Sequence, residues 1–402
     1  MWPIDVAMRK ILRIVSVLLL TMSCTSHETN QEMVERVFKV AAGQVRLLNQ
    51  MLADGECPRS LNDDGSLMTS SIWWWCSGFY PGTAWLVYEY TQDEQIRDIA
   101  WKHTVKLDSI RFRTNDHDVG FQLNCSYGNA LRLTGDEKCR EVLFDGAHSF
   151  ATRFNPIIGC TRSWDYDGRP WDFPVIIDNM MNLELLLKVA NMYDDNDLCS
   201  IAKSHADVTM KNHFREDHST YHVVNYDPET GDVAFKGTFQ GLSDDSSWSR
   251  GQGWGLYGYT VMYRFTNDPV YLKKAQDIAR YIMSYKPMPE DKIFLWDYKA
   301  PSDSPRDASA AALCASALLE LSLYADDKVL ADESFDYAVQ ILKSLSGPEY
   351  TAAKGQNGGF LLMHSVTSYP ADKEIDKPLC YADYYYLEAL LRLKNILDND
   401  KR

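Results

Sequence analysis

Apolar residues along most of the chain recur every three or four positions, which is the period of an amphipathic helix. Short turns rich in Thr, Asn and Asp separate these segments, as in Tyr90-Thr91-Gln92-Asp93 and Phe265-Thr266-Asn267-Asp268. Such residues end one helix and cap the next. The pattern predicts about twelve helices, over residues 31–53, 80–91, 94–111, 119–133, 136–153, 178–192, 196–213, 251–266, 269–285, 307–324, 328–346 and 379–397.

The helix junctions resemble one another and recur at intervals of about 40 to 75 residues, which indicates a repeat of helical hairpins. Strand patterns are sparse. STYHVVNYDPETGDV, residues 219–233, alternates around a Pro-Glu-Thr-Gly turn and predicts a β-hairpin in a loop. Periodicity therefore predicts an all-α fold built from hairpin repeats. Twelve helices arranged as six hairpins favour a closed toroid, a single-domain (α/α)6 barrel with an inner and an outer ring.

In such a toroid all inner helices point the same way, so their N-termini surround one mouth of the barrel. Residues at or just before the even-numbered helices would then share one cleft, although they are scattered along the chain. The positive partial charge of helix N-termini would favour an anionic ligand there. These residues are Trp75, Phe79, His117, Asp118, Asp178, Arg250, Trp254, Arg306 and Asp307.

Two aspartates at this predicted mouth are candidates for acid/base chemistry. Asp178 ends an apolar run that begins at Phe173, and Asp118 follows His117 in NDHDVGF. Burial among apolar side chains raises the pKa of a carboxyl group, and a second carboxylate nearby raises it further. The sequence leaves two interpretations open: each aspartate is the N-cap of a helix, or the two form an acid/base pair.

The stretch TFQGLSDDSSWSRGQGWGLYGYT, residues 238–260, combines polar residues with a glycine-rich helix. Gln240, three serines and Arg250 lead into four glycines, which cost the helix on the order of 1 kcal/mol each relative to alanine. Such a helix predicts close backbone approach or room for a ligand. A phosphate-binding loop is excluded, because no Gly-Lys-Ser/Thr occurs. Upstream, Trp75 and Phe79 read either as core or as a stacking wall for a sugar ring.

Composition narrows the function classes. The chain has 402 residues, is 45% hydrophobic, and carries 11 Trp and 23 Tyr, enough for a large core and for sugar-binding aromatic surfaces. The net charge is −15 without a cluster of Lys and Arg, which argues against nucleic-acid binding. An anionic substrate would therefore have to be captured by local groups.

The N-terminus reads as a targeting segment. Arg9-Lys10 precede ILRIVSVLLLTMSC, an apolar stretch of signal-peptide length that is too short to span a membrane. The run ends in Ser23-Cys24 and resembles a bacterial lipoprotein cleavage site, although Leu20 lies one place further from the cysteine than usual. We predict that residues 1–24 are a signal peptide cleaved before a lipidated Cys24, with a simple secretory signal as the alternative. Residues 25–402 would form the catalytic domain of an exported protein, periplasmic or outer-membrane-associated, whose membrane contact is a lipid anchor.

The remaining cysteines predict neither a redox motif nor a zinc site. They form no Cys-x-x-Cys pair and no His/Cys spacing typical of zinc ligands. Most fall within apolar helical patterns and are predicted to be buried free thiols, with a Cys57–Cys76 disulfide as the alternative. The eight are Cys57, Cys76, Cys125, Cys139, Cys160, Cys199, Cys314 and Cys380.

Several of these stretches together resemble the unsaturated glucuronyl hydrolases, glycoside hydrolase family 88. The resemblance spans roughly residues 33–397, and the ordered occurrence of HDVGF, IIDNM and SWSRGQGWGLYG is its most specific part. It is also carried by WWWCSGFYPGTAWLVYEYT, RSWD, STYHVVNYDPETG, TFQG and DYYYLEALLRL. The resemblance implies an (α/α)6 barrel without metal or cofactor.

The family acts on 4,5-unsaturated uronic acids at the non-reducing end of oligosaccharides that lyases release from glycosaminoglycans such as chondroitin, hyaluronan or heparin. The resemblance assigns the general acid/base to Asp178 and the supporting carboxylate to Asp118. It implies aromatic contacts with the sugar from Trp75, Phe79 and Trp164. Further substrate contacts are implied for His117, His222, Gln240, Arg250 and Trp254, and a contact with the next sugar or its sulfate for His364.

In the implied reaction, Asp178 protonates C4 of the enol ether and then deprotonates a water that adds at C5. The resulting hemiketal opens and releases the remaining sugar. Two alternatives remain at this point. One is an unsaturated rhamnogalacturonyl hydrolase with the same fold and chemistry on pectin fragments, against which HDVGF and the pair Trp75 and Phe79 weigh. The other is a non-catalytic sugar-binding lipoprotein, against which the presence of both Asp118 and Asp178 argues.

Overall fold

The computed structural model of the protein describes residues 28–165 and 170–399. The predicted signal peptide, residues 1–24, and the predicted lipidation at Cys24 lie outside the described residues. Within the described ranges, no helix has both the length and the apolar character needed to cross a bilayer.

Twelve α-helices of the described chain alternate between an outer and an inner ring. The outer helices are α1 (Asn30–Met51), α3 (Glu94–Thr104), α5 (Glu137–Ala151), α7 (Asn196–Asn212), α9 (Pro269–Ser284) and α11 (Lys328–Leu345). The inner helices are α2 (Phe79–Thr91), α4 (Val119–Leu123 and Asn129–Thr134, joined by a π-helical turn Asn124–Gly128), α6 (Asn179–Tyr193), α8 (Ser249–Thr266), α10 (Ala308–Ser322) and α12 (Cys380–Asn399). All twelve predicted helices are present. The segment predicted as 94–111 changes after Thr104 into a 3₁₀-helix, Val105–Phe112.

The inner helices pack against one another in chain order, and α12 packs against α2 to close the ring. This arrangement confirms the predicted (α/α)6 barrel. An inner helix has neighbours on every side, so it can be apolar around its whole circumference. In α10 every residue from Ala308 to Leu321 is buried, whereas the outer helix α3 buries only four residues, Ile96, Ala100, His103 and Thr104.

The glycines of α8 serve close packing between inner helices. A Cβ atom at Gly258 would lie 2.5 Å from Cβ of Met180 on α6, and one at Gly253 would lie 2.9 Å from Cδ2 of Leu313 on α10. A larger residue at Gly258 would meet Cβ and the backbone of Met180 and force the two helices apart, whereas one at Gly253 would require the Leu313 side chain to shift. The prediction of close backbone approach is therefore confirmed.

Short antiparallel strands lie in the loops between helices. They form the pairs β1 (Cys57–Leu61) with β2 (Leu67–Ser70), β3 (Phe154–Asn155) with β4 (Cys160–Thr161), and β8 (Ser365–Ser368) with β9 (Lys373–Lys377), and the three-stranded sheet β5 (Phe173–Ile176), β6 (Val223–Tyr226), β7 (Val233–Gly237). The predicted hairpin is confirmed as β6 and β7. Strand β5 was not predicted, because a short apolar run carries no alternation when both of its faces are buried.

The pairing of β5 with β6 determines what lies beside Asp178. Ile176 is opposite Val223 in the antiparallel register, and the Ile177 N–H donates to the His222 carbonyl at 3.0 Å. The residue after Ile177 is therefore brought next to His222, although the two are far apart in sequence.

All eight cysteines of the described chain are free thiols; Cys199 is partly buried and the other seven are buried. The prediction of buried free thiols is confirmed, and the alternative Cys57–Cys76 disulfide is not formed.

Candidate active site

A small cavity of about 90 Å³ opens at the mouth of the barrel, where the inner helices begin. Residues separated by almost three hundred positions converge on it. Its walls are formed by Trp75, His117, Asp118, Trp164, Ile176, Asp178, Gln240, Trp248, Arg250 and Thr367. Of the nine residues that the toroid predicted to share one cleft, five line this cavity. The other four, which are Phe79, Trp254, Arg306 and Asp307, do not.

Seven of the eleven predicted site residues line this cavity: Trp75, His117, Asp118, Trp164, Asp178, Gln240 and Arg250. The other four do not. Phe79 is fully buried behind the Trp75 ring, at a centroid distance of 5.7 Å. Trp254 is packed beneath the cavity against Phe121, at 5.2 Å.

His222 lies behind Asp178, and His364 is on the exposed β8 side of the mouth. The His364 ring pairs with Asp376, with 2.6 Å between Nδ1 and Oδ1. For the aromatic residues near α2 and α8, the sequence pattern did not distinguish Trp75, whose ring faces the cavity, from Phe79 and Trp254, whose buried rings pack behind or beneath it.

Aspartates precede eight helices of the described chain, and six of them are ordinary N-caps. Those six accept hydrogen bonds from backbone N–H groups in the first turn; they are Asp93, Asp136, Asp195, Asp268, Asp307 and Asp327. Asp118 and Asp178 occupy the same position before α4 and α6, but neither side chain makes a capping hydrogen bond. The structure therefore decides against the N-cap interpretation for these two residues, whose carboxyl groups face the cavity instead.

His222 presents an N–H group to Asp178. Its Nδ1 accepts from the backbone N–H groups of Phe239 and Gln240, both at 3.1 Å, so the neutral ring carries its proton on Nε2. This nitrogen lies 3.6 Å from Oδ2 of Asp178. At this distance the two atoms are not hydrogen-bonded, and Oδ2 of Asp178 is buried without a hydrogen-bond partner among the described residues.

His117 takes the opposite tautomer. Asn179 donates from Nδ2 to the Thr161 carbonyl, so its Oδ1 accepts from Nδ1 of His117 at 2.8 Å. Burial lowers the pKa of His117, which keeps the ring neutral at neutral pH. Its Nε2 is then a lone-pair acceptor, 3.5 Å from Oδ1 of Asp118.

Asp118 is placed to retain a proton. Burial raises the pKa of Asp118 well above its usual range, and the carboxylates of Asp116 and Asp178 raise it further, against the opposing charge of Arg113. Sequence reasoning gave Asp118 the role of a negative neighbour. In the unliganded site burial and the neighbouring carboxylates instead favour its protonated form.

Arg250 lines the cavity, and its positive charge is paired with the carboxylate of Asp307. Nη1 of Arg250 donates to Asp307 Oδ2 at 2.7 Å and to the Val366 carbonyl at 2.6 Å, and Nη2 donates to the Thr367 carbonyl at 2.8 Å. The guanidinium also stacks on Trp248, at 4.4 Å from the ring centroid. Arg250 therefore joins β8 to the barrel mouth in addition to lining the cavity.

Asp116, His117 and Asp118 bring three potential metal ligands within 4.8 Å of one another. Two of them are committed to protein partners. Asp116 Oδ2 accepts from Nη2 of Arg113 at 2.6 Å, and Nδ1 of His117 is bonded to Asn179. The arrangement fits proton transfer and hydrogen bonding better than the binding of a cation.

The sequence model for Glycosyl Hydrolase Family 88 matches residues 53–322. The chain belongs to glycosyl hydrolase family 88. This family 88 chain is 43% identical over 326 residues to an unsaturated glucuronyl hydrolase of Formosa agariphila, covering 80% of each chain. It is 33% identical over 340 residues to an unsaturated chondroitin disaccharide hydrolase of Streptococcus agalactiae, covering 83% of this chain and 84% of that protein.

Among solved structures, the family 88 chain resembles an unsaturated glucuronyl hydrolase specific for heparin. The TM-score is 0.89 at 46% identity, with 91% of this chain and 98% of the other covered. The protein is thus a glycoside hydrolase of the unsaturated glucuronyl hydrolase family, which confirms the predicted family, fold and enzyme class.

Sequence reasoning missed three cavity residues of this family 88 enzyme and two residues behind them. Trp248 lies two positions before Arg250 within a motif that was read mainly for its glycines, and Ile176 and Thr367 lie on strands that carry no alternation. Arg113 and Asp116 precede HDVGF by a few residues, and no local pattern marks them.

Proposed function

We propose that this enzyme hydrolyses unsaturated glucuronyl oligosaccharides derived from glycosaminoglycans, with Asp178 as general acid and base. The proposal rests on two of the aspartates that precede helices. Unlike the other six, Asp118 and Asp178 make no capping hydrogen bond, and both line the same cavity. A carboxyl group that lacks this stabilising hydrogen bond at a helix N-terminus is expected to serve function instead, here by binding a ligand or reacting with it.

The substrate is an enol ether whose C4=C5 bond is conjugated to a carboxylate. Asp178, protonated in the proposed substrate complex, donates its proton to C4, and positive charge develops at C5 and the ring oxygen. The ionised Asp178 then accepts a proton from a water molecule that adds at C5. The hemiketal opens, the glycosidic oxygen takes a proton, and the remaining sugar leaves. His222 supports the ionised form, because its Nε2–H group faces Oδ2.

Charge around the cavity is arranged so that a uronate can enter. Asp116 is paired with Arg113, and Asp307 with Arg250. The causes that raise the pKa of Asp118 favour its protonated form, which can donate a hydrogen bond to a sugar hydroxyl. The anion therefore meets little net negative charge inside a protein that is acidic overall.

Aromatic rings give the cavity the shape for a terminal sugar. Trp75, Trp164 and Trp248 line it, and Trp75 is held against Tyr381 at a centroid distance of 4.8 Å. Stacking on such faces is compatible with a flattened, unsaturated ring.

The similarities favour glycosaminoglycan fragments over pectin fragments. The relatives named above are described as specific for heparin and as acting on chondroitin disaccharides. We further propose that residues 1–24 export the enzyme and that Cys24 carries a lipid. Mass spectrometry of the mature N-terminus tests this: a diacylglycerol-modified Cys24 supports it, and an unmodified N-terminus after cleavage indicates a simple secretory signal.

The substrate assay is direct. The protein is incubated with unsaturated disaccharides from chondroitin, heparin and rhamnogalacturonan, and the absorbance of the conjugated alkene is followed. Loss of absorbance on the glycosaminoglycan disaccharides supports the proposal. Loss only on the rhamnogalacturonan disaccharide assigns the enzyme to pectin fragments, and binding without loss of absorbance contradicts a catalytic role on these sugars.

A further inference from the structure

The loop over residues 71–77 carries Trp75 into the cavity without belonging to a helix or strand. Its position is fixed by three successive backbone carbonyls that all accept hydrogen bonds from side chains elsewhere. Nε2 of Gln122 donates to the carbonyls of Ile72 at 2.9 Å and Trp74 at 3.1 Å, and Nη1 of Arg113 donates to that of Trp73 at 2.8 Å. The Trp75 wall thus depends on two side chains outside the loop.

Gln122 also connects this loop to the carboxyl site. It lies in the first turn of α4, where its backbone N–H donates to the Asp118 carbonyl at 3.0 Å. It is fully buried, and its Oε1 accepts from Nη1 of Arg113 at 3.1 Å. The first turn of the helix holds the backbone of Gln122 beside Asp118, and the buried amide is held by its hydrogen bonds to the loop and to Arg113.

Arg113 connects the same loop to Asp118 by a second route, through Asp116. Its Nη2 donates to Asp116 Oδ2 at 2.6 Å, and Asp116 Oδ1 accepts from the backbone N–H of Asp118 at 3.0 Å. One guanidinium therefore binds the Trp75 loop, Gln122 and the Asp116 carboxylate at the same time. The planar fork of arginine can satisfy these acceptors together, whereas the single ammonium of lysine cannot.

We propose that Arg113 is a positioning residue for the reaction: it holds the Trp75 wall and the Asp118 carboxyl in a fixed relation through this closed circle of hydrogen bonds. Arg113 does not line the cavity and acts through Trp75 and Asp118. The catalytic part of this inference rests on the proposed function, whereas the structural part does not.

The test compares Arg113→Gln, Arg113→Lys and the control Arg111→Gln. Arg111 lies two residues away, makes longer ion pairs, 3.6 Å to Asp108 and 3.5 Å to Asp145, and stacks on the Phe112 ring at 4.7 Å from its centroid. Amide hydrogen exchange of residues 71–77 reports the loop without any substrate. We expect faster exchange there in both Arg113 variants and wild-type exchange in the control.

Activity gives the second readout. In Arg113→Gln we expect the Trp75 ring and the Asp118 carboxyl group to be displaced by about 1 Å, which should lower kcat/KM about 100-fold. Asp118 faces the charges of Arg113, Asp116 and Asp178 and the ring of His117. Removing the positive charge moves the pH limb that reports Asp118 upward in Arg113→Gln, while Arg113→Lys retains the wild-type limb and still loses activity. A limb that stays at its wild-type position in Arg113→Gln would contradict the action of Arg113 on Asp118.

A folded Arg113→Gln variant with wild-type exchange over residues 71–77 and wild-type kcat/KM would overturn the proposal. If Arg113→Gln does not fold, a folded Arg113→Lys variant with wild-type exchange and activity overturns it equally. If the wild-type enzyme turns over none of the unsaturated disaccharides, the proposed function fails, and faster exchange in the variants still establishes the structural role of Arg113.

Discussion

Nε2 of His222 lies 3.6 Å from Oδ2 of Asp178, and in the described part of the chain neither atom has a hydrogen-bond partner. The tautomer of His222 is imposed by the two backbone N–H groups of Phe239 and Gln240 that Nδ1 accepts. The Nε2–H group of His222 is therefore a hydrogen-bond donor without an acceptor among the described residues in this state. A contraction of a few tenths of an ångström would form a charge-assisted hydrogen bond once Asp178 has given up its proton.

Asp178→Asn is expected to abolish turnover and to leave substrate affinity largely intact, because the amide keeps the shape and loses only proton transfer. General acid/base catalysis contributes about 10²- to 10⁴-fold, so kcat should fall by at least that factor. Single-turnover kinetics and calorimetric binding separate the two effects. Asp327→Asn is the matched control, since asparagine also caps a helix and Asp327 caps the outer helix α11. Near-normal rates in Asp178→Asn would place the acid elsewhere.

His222→Asn tests the donor that faces Asp178. Asparagine can still accept from the Phe239 and Gln240 N–H groups, but it is too short to reach Asp178. A hydrogen bond to a charged group contributes about 1.5–3 kcal/mol, so kcat should fall about 10- to 100-fold. The measurement is kcat at saturating substrate, with thermal unfolding to show that the fold is retained. An unchanged kcat would assign His222 a packing role.

Asp118→Asn should remove a pH dependence from substrate binding. The pKa of Asp118 is raised by burial and neighbouring carboxylates, so the group keeps its proton to higher pH than an ordinary aspartate and ionises as the pH rises further. The ionised form repels a uronate, and KM of the wild type should therefore increase on the alkaline side. In the asparagine variant this increase disappears, because no charge can form. Parallel KM profiles for the two proteins would refute a neutral Asp118.

Arg250→Ala should reduce both stability and recognition. Asp307 is fully buried and would lose its partner at 2.7 Å, which costs about 3–5 kcal/mol for a buried pair. Urea unfolding measures this loss, and adding Asp307→Asn should recover part of it. In the folded fraction, KM should rise more for the unsaturated uronide than for a neutral analogue. Equal effects on both ligands would remove Arg250 from uronide recognition.

Glu320, at the far end of the barrel, should make stability fall in acid. Burial alone would raise its pKa, but the charges of Arg392 and Arg264 outweigh burial and lower the pKa of Glu320 to about 2 from its usual 4.5. Its contribution, about 3 kcal/mol, is present above pH 4.5 and is lost as the pH falls toward 2. The difference in unfolding free energy between wild type and Glu320→Gln should therefore shrink from pH 7 to about pH 3. A difference independent of pH would contradict this assignment.

The sequence by itself determined the helices and their alternation. Apolar spacing and cap residues are local properties, so twelve helices, the hairpin repeat and the toroid could be read from them. The motifs around Asp118, Asp178 and Arg250 indicated the family for the same reason. In the structure these residues share one cavity, and the glycines of α8 pack against Met180 and Leu313 as their number in one helix suggested.

Only the tertiary structure decided which of these groups are available to a substrate. Asp178 and Asp195 look alike in sequence, yet one faces the cavity and the other caps a helix. Phe79 and Trp254 are aromatic like Trp75, yet they are buried behind or beneath it. The protonation of Asp118, the pairing of Arg250 with Asp307 and the support from Arg113 depend on burial and charges contributed by residues distant in sequence. Burial and neighbouring charges are defined only in the folded chain, because packing determines which residues become neighbours.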